Sequence, residues 1–128
     1  MRLDPYVQVD DTPFTLSREE LQRARGDPWR ALRNGVGLHE MDYGDVVYRF
    51  QDNGRLEEVT VQAEVVTIGN VAVPFATLAA FIRAHDPEAF ERAGFLVSPQ
   101  LGLAFDPSEP FWVTALARHC LQEWKNLA

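Results

Sequence analysis

The sequence predicts an α+β domain. It should hold an antiparallel sheet of about five to seven strands, built from hairpins. One face of that sheet should carry an N-terminal pair of short helices, a central helix and a long C-terminal helix. Three observations predict this. The stretch from Asp45 to Val73 is rich in β-branched residues and broken by turn signals at Asp52-Asn53-Gly54 and Gly69-Asn70. Phe75, Leu78, Ala79 and Ile82 recur at i, i+3, i+4 and i+7, the period of a helix with one buried stripe. Strand-like segments run together and helix-like segments group apart. With 128 residues, the chain is long enough for one domain, residues 1–128, with a core of ordinary size.

Each element has its own signal. Tyr6–Val9 alternates and reads as a short strand, broken by Asp10-Asp11-Thr12-Pro13. Ser17 with Glu20 makes a capping box, flanked by Leu16 and Leu21 as a hydrophobic staple, and Gly26 stops that helix. Asp27-Pro28 reads as a second cap, opening a turn or short helix to Arg33 that should bury Trp29 and Leu32. The segment from Val36 to Tyr43 is ambiguous, because its glycines weaken a strand.

In Asp45–Gln51, Val46, Tyr48 and Phe50 face one way while Val47, Arg49 and Gln51 face the other. The return strand, Arg55–Ala63, places Val59, Val61 and Ala63 on one side and Glu58, Thr60 and Gln62 on the other. Leu56 breaks that parity, which predicts a bulge near Glu57-Glu58 or a later strand start. Glu64–Ile68 and Val71–Val73 form the next hairpin.

Pro74 opens the central helix, which ends at His85. Asp86-Pro87 caps a further short helix that stops at Gly94. Phe95–Val97 and Leu101–Phe105 flank a Ser98-Pro99-Gln100 turn as a third hairpin. In the final segment Val113, Leu116, Ala117, Cys120, Trp124 and Leu127 make one stripe of the long last helix.

The net charge is -7, which argues against nucleic acid as a direct ligand, since phosphate binding calls for a Lys/Arg surface. It suits a basic protein partner instead. Cys120 stands alone, so the chain holds no intramolecular disulfide, and a structural zinc site is not expected. No signal-peptide core and no membrane-length apolar run is visible, so a cytoplasmic protein is expected, as a monomer or homodimer.

The candidate chemistry is sparse. No cofactor, metal or catalytic set is expected: metalloprotease and zinc motifs, phosphate loops and nucleophile elbows have no match here. His119 and Cys120 are adjacent, so on a helix they would point about 100° apart. Cys120 falls in the apolar stripe and reads as a small hydrophobe. A His119–Glu123 pair fits i, i+4 spacing on the helix surface. Carboxylates crowd the first hairpin and its approach. Asp42, Tyr43, Asp45, Glu57, Glu58 and Glu64 are the candidate partner-contact residues.

The segments Tyr43–Phe50, Asp52–Leu56, Gly94–Pro99, Gly102–Pro107 and Trp112-Val113-Thr114 together resemble small acidic bacterial immunity-type proteins, which neutralise polymorphic toxins. That resemblance is one of pattern and transfers no active-site residue. It implies a non-enzymatic binder whose ligand is another protein. Two other readings stand beside it. One is a small-molecule-binding or hydrolytic domain using His119, Glu123 and a carboxylate of the hairpin. The other is a module that pairs through an edge strand, Tyr6–Val9 or Val71–Val73.

Overall fold

The computed structural model describes residues 1–127. The chain begins with β1 (Arg2–Asp4), turns through Tyr6 at a φ of 66° into β2 (Gln8–Val9), and continues through β3 (Thr12–Pro13). Helix α1 (Arg18–Arg25) follows, then β4 (Arg30–Arg33), β5 (His39–Asp42), β6 (Val46–Phe50) and β7 (Leu56–Gln62). Next come β8 (Val65–Ile68), β9 (Val71–Pro74) and helix α2 (Phe75–His85). The chain closes with β10 (Phe90–Arg92), β11 (Phe95–Ser98), β12 (Leu103–Phe105), β13 (Trp112–Leu116), a 3-10 turn Arg118–Cys120 and α3 (Leu121–Asn126).

Among the described residues the strands form two sheets. One has five strands in the order β3-β2-β1-β8-β9, the other eight in the order β10-β11-β12-β13-β7-β6-β5-β4. Pairing is antiparallel except between β1 and β8. Val46, Phe50, Val59 and Leu103 from the large sheet and Leu3, Val9 and Val66 from the small one belong to a single buried cluster, completed by Leu21 of α1 and Phe75, Leu78 and Ile82 of α2. Each such side chain contributes about 1.5–3 kcal/mol by leaving water.

Several expectations hold in detail. The capping box at Ser17 and Glu20 is formed, and Gly26 ends α1 at a φ of 78°. The stripe of α2 is buried at Phe75, Leu78 and Ile82. The first hairpin carries its bulge: Arg49 pairs with Glu58 and Phe50 with Leu56, leaving Glu57 as the extra residue. Gly69-Asn70 joins Ile68 to Val71 in a tight hairpin.

The predicted architecture, five to seven strands under several helices, is not the one formed. The large sheet alone has eight strands, and the helices are few and short. Three expected helices are strands. The segment Arg30–Arg33 pairs with β5, because the Asn34 side-chain oxygen accepts the N–H groups of Val36 and Leu38 and closes a hairpin loop. Trp29 is therefore 85% exposed rather than buried.

Asp86 closes α2 and does not open a further helix. It is buried and accepts hydrogen bonds from the Ser98 hydroxyl at 2.6 Å and the backbone N–H groups of Glu88 and Gln100. Ala93 and Gly94, at φ of 53° and 85°, make the two-residue turn between β10 and β11 that such positive angles favour.

The long C-terminal helix is replaced over its first half by β13, held between β12 and β7. Trp112-Val113-Thr114-Ala115-Leu116 satisfies both a helical stripe and a period of two, and two ladders of backbone bonds decide for the strand. At the N-terminus Tyr6 is a turn residue, so the expected strand Tyr6–Val9 is only Gln8–Val9, and it lies inside the small sheet. Val71–Pro74 does lie at a sheet edge.

Candidate functional site

The bulge at Glu57 decides what the outer face of the large sheet presents. Before it, Leu56 points into the core; after it, Val59 and Val61 return there and Glu58 and Thr60 turn outward. On the outward side the register sets Glu40 of β5, Arg49 of β6 and Glu58 of β7 in a row across neighbouring strands. A second row sets Thr60 beside Thr114 of β13.

These rows are hydrogen-bonded throughout. Arg49 donates from Nε to Glu40 at 2.9 Å and from Nη1 to the Thr60 hydroxyl at 2.6 Å, with Glu58 at 3.5 Å. The Thr60 and Thr114 hydroxyls are 2.7 Å apart. Burial raises the Glu40 carboxyl, but the bonds from Arg49 and Asn34 outweigh it and hold the group below its ordinary range. A charge network this well satisfied is rigid.

Above these rows lies a groove of about 530 Å³. Arg49, Thr60 and Thr114 line its polar part, Phe95 and Trp112 bring aromatic rings, and Asp106 and Glu109 bring carboxylates. Arg30, Glu40 and Asp42 also line it, so two arginines meet four carboxylates and the groove is net negative. Arg49 neutralises Glu40, and Arg30 stands 3.9 Å from Asp42. Among the described residues Asp106 accepts only from Ser108, whose hydroxyl and N–H hold its carboxyl below the usual value. Among the described residues, the Glu109 side chain makes no hydrogen bond or ion pair. The unneutralised charge is thus concentrated at Asp106 and Glu109, in the same groove as the two rings.

The other end of this face is covered. Val97, Ala104 and Leu116 form a small buried cluster against Phe90, Phe95, Leu121 and Trp124. Trp124 stacks on Phe95 with ring centroids 5.3 Å apart and donates its indole N–H to Glu58 at 2.9 Å. The Cys120 thiol sits 3.6 Å from the same Glu58 oxygen, and burial pushes the thiol far above its ordinary range. It is no nucleophile there.

The candidate contact residues are not one patch. Asp42 lines the groove. Glu58 is buried at the boundary between the groove and α3. Glu57 is fully buried in the bulge, between Arg55 at 3.1 Å and His119 at 2.8 Å. Asp45 is exposed beside Arg25, on a separate cleft of about 770 Å³ between the two sheets. Tyr43 stacks edge-on against Tyr48 and under Arg25. Glu64 is exposed where the chain crosses from one sheet to the other.

Sequence reading missed Glu40, Arg49, Phe95, Asp106, Glu109, Trp112 and Thr114 as a group. Arg49 and Thr60 were legible as wet-face residues from their parity. Trp112 and Thr114 could not be placed while their segment read as a helix. The His119–Glu123 pair yields to a His119–Glu57 contact, which spans from the 3-10 turn to β7. Among the described residues, no helix is long and apolar enough to cross a membrane, and no cluster of metal-binding side chains occurs. Compared with known proteins, the chain matches no family model, no curated protein and no solved structure.

Proposed function

We propose that the protein is a binding module that receives a basic side chain of a partner protein in the groove on the outer face of the large sheet. One observation carries this reading: Asp106 and Glu109 supply unneutralised charge beside Phe95 and Trp112, over polar groups already bonded to one another. An arginine or lysine gains from a carboxylate and from an aromatic face at once. The bonded network beneath is rigid and needs little reorganisation on binding, so the site is preorganised. The net charge of -7 steers such a partner inward. An immunity-type role, with a toxin as the partner and a cytoplasmic setting, is the specific form of this reading that the resemblance implies.

A short arginine-containing peptide with blocked termini tests it. Titrated into the 15N-labelled protein at low salt, the peptide should move the Trp112 indole resonance. Glu109→Gln with Asp106→Asn should weaken that binding several-fold. A Trp112 signal unmoved at low salt overturns the reading. A hydrolytic reading gains one observation, the 2.8 Å approach of His119 to Glu57. Turnover of a model ester, lost in His119→Ala, would favour it instead.

A further inference from the structure

Glu57 is a buried carboxylate with an open account. Its side chain has no exposure, yet among the described residues Oε2 has no hydrogen-bond donor aimed at it. His119 Nε2 stands 2.8 Å away, at ion-pair distance but outside hydrogen-bond geometry. Arg55 serves the other oxygen, with Nε at 3.2 Å. Of the other ionisable groups, Glu123 of α3 acts on Glu57, and Cys120, on the 3-10 turn with His119, feels Glu57 while facing Glu58. Burial is the largest influence and raises the Glu57 carboxyl, against the opposing pull of His119 and Arg55.

The neighbouring Glu58 ties this point to the groove. Its Oε2 holds the Trp124 indole and its Oε1 faces Arg49 among the groove-lining groups. Trp124 also backs Phe95, one of the groove's aromatic residues. The segment Arg118–Asn126 is thus fastened to consecutive carboxylates of the bulge, one at His119 and one at Trp124.

We propose that a proton held on the buried Glu57 carboxyl beside His119 fastens Arg118–Asn126 to the sheet, so that losing it loosens this strap and the groove wall behind Phe95. The inference concerns regulation of the proposed binding groove and rests on that reading only for its second half. The sign follows from Glu57. A carboxyl raised by folding stabilises the fastened state below its ordinary range and ceases to do so as pH rises through the raised value. The strap therefore loosens as pH rises. Protonation of Asp106, whose carboxyl Ser108 holds below its ordinary range, would act oppositely, weakening cation binding only toward low pH.

The test follows the Trp124 indole resonance, assigned with Trp124→Phe, as pH rises from the ordinary carboxylate range, since the raised Glu57 carboxyl is expected to lose its proton above that range. The expected result is a titrating shift that Glu57→Gln abolishes, because glutamine keeps the neutral form at every pH. His119→Gln should move the midpoint, and it serves if Glu57→Gln does not fold. Affinity for the arginine peptide should fall several-fold over that rise in the wild type and stay flat in Glu57→Gln. A Trp124 signal that does not titrate, or that titrates unchanged in these variants, overturns the strap. If the strap titrates but no peptide binds at any pH, the groove reading fails and the strap stands.

Discussion

The outer face of the large sheet has two ends made by the same strands, and they meet water differently. At one end Val97, Ala104 and Leu116 lie dry beneath α3. At the other, Arg49, Thr60 and Thr114 line an open groove. β13 contributes to both ends, Leu116 to the first and Thr114 to the second. The difference shows that alternation along a strand chooses a face, while a covering element chooses whether that face is core or surface. Glu58 stands on the boundary and belongs to both, bonded to Trp124 on one side and near Arg49 on the other.

Substitutions can break or sharpen this contrast. The largest effect is expected on the inner face common to both ends. Phe105→Ala removes a buried ring stacked on Phe75 and should cost about 3–5 kcal/mol in denaturant unfolding. At the covered end, Trp124→Phe keeps most of the packing but takes the indole donor from a buried carboxylate. A loss of about 1–3 kcal/mol is expected, with Phe95 more accessible to solvent. In the groove, Thr60→Val removes the hydroxyl that joins Arg49 to Thr114 and should cost about 1 kcal/mol by the same unfolding measurement. The smallest effect on stability is expected for Glu109→Gln, within about 0.5 kcal/mol, because nothing in the fold depends on that charge. Its effect should appear in peptide binding instead. Were Glu109→Gln as costly as Trp124→Phe, the two ends would not differ as described.

The central hairpin was readable because its signals are local. The Asp52-Asn53-Gly54 turn, the alternation of Val46, Tyr48 and Phe50 and the broken parity at Leu56 all lie within a few residues of one another. The bulge they predict is present at Glu57. The groove was not readable, because it joins β6 and β7 to Phe95, Asp106 and Trp112, which are far away in the chain. Reading Trp112–Leu116 as helix hid this, since a helix would have sent Trp112 and Thr114 to different surroundings.

By itself the sequence determined what nearest neighbours can decide. The capped start of α1, the stripe of α2, the turn at Gly69-Asn70 and the bulge all follow from backbone preference and side-chain period. Only the tertiary structure decided that Arg30–Arg33, Phe90–Arg92 and Trp112–Leu116 are strands. Segments this short cannot hold a helix on their own, and a neighbouring strand satisfies their backbone groups along the length of the ladder. The same long-range pairing chose which carboxylates were buried, placing Glu57 inside and Glu109 on the wall of the groove.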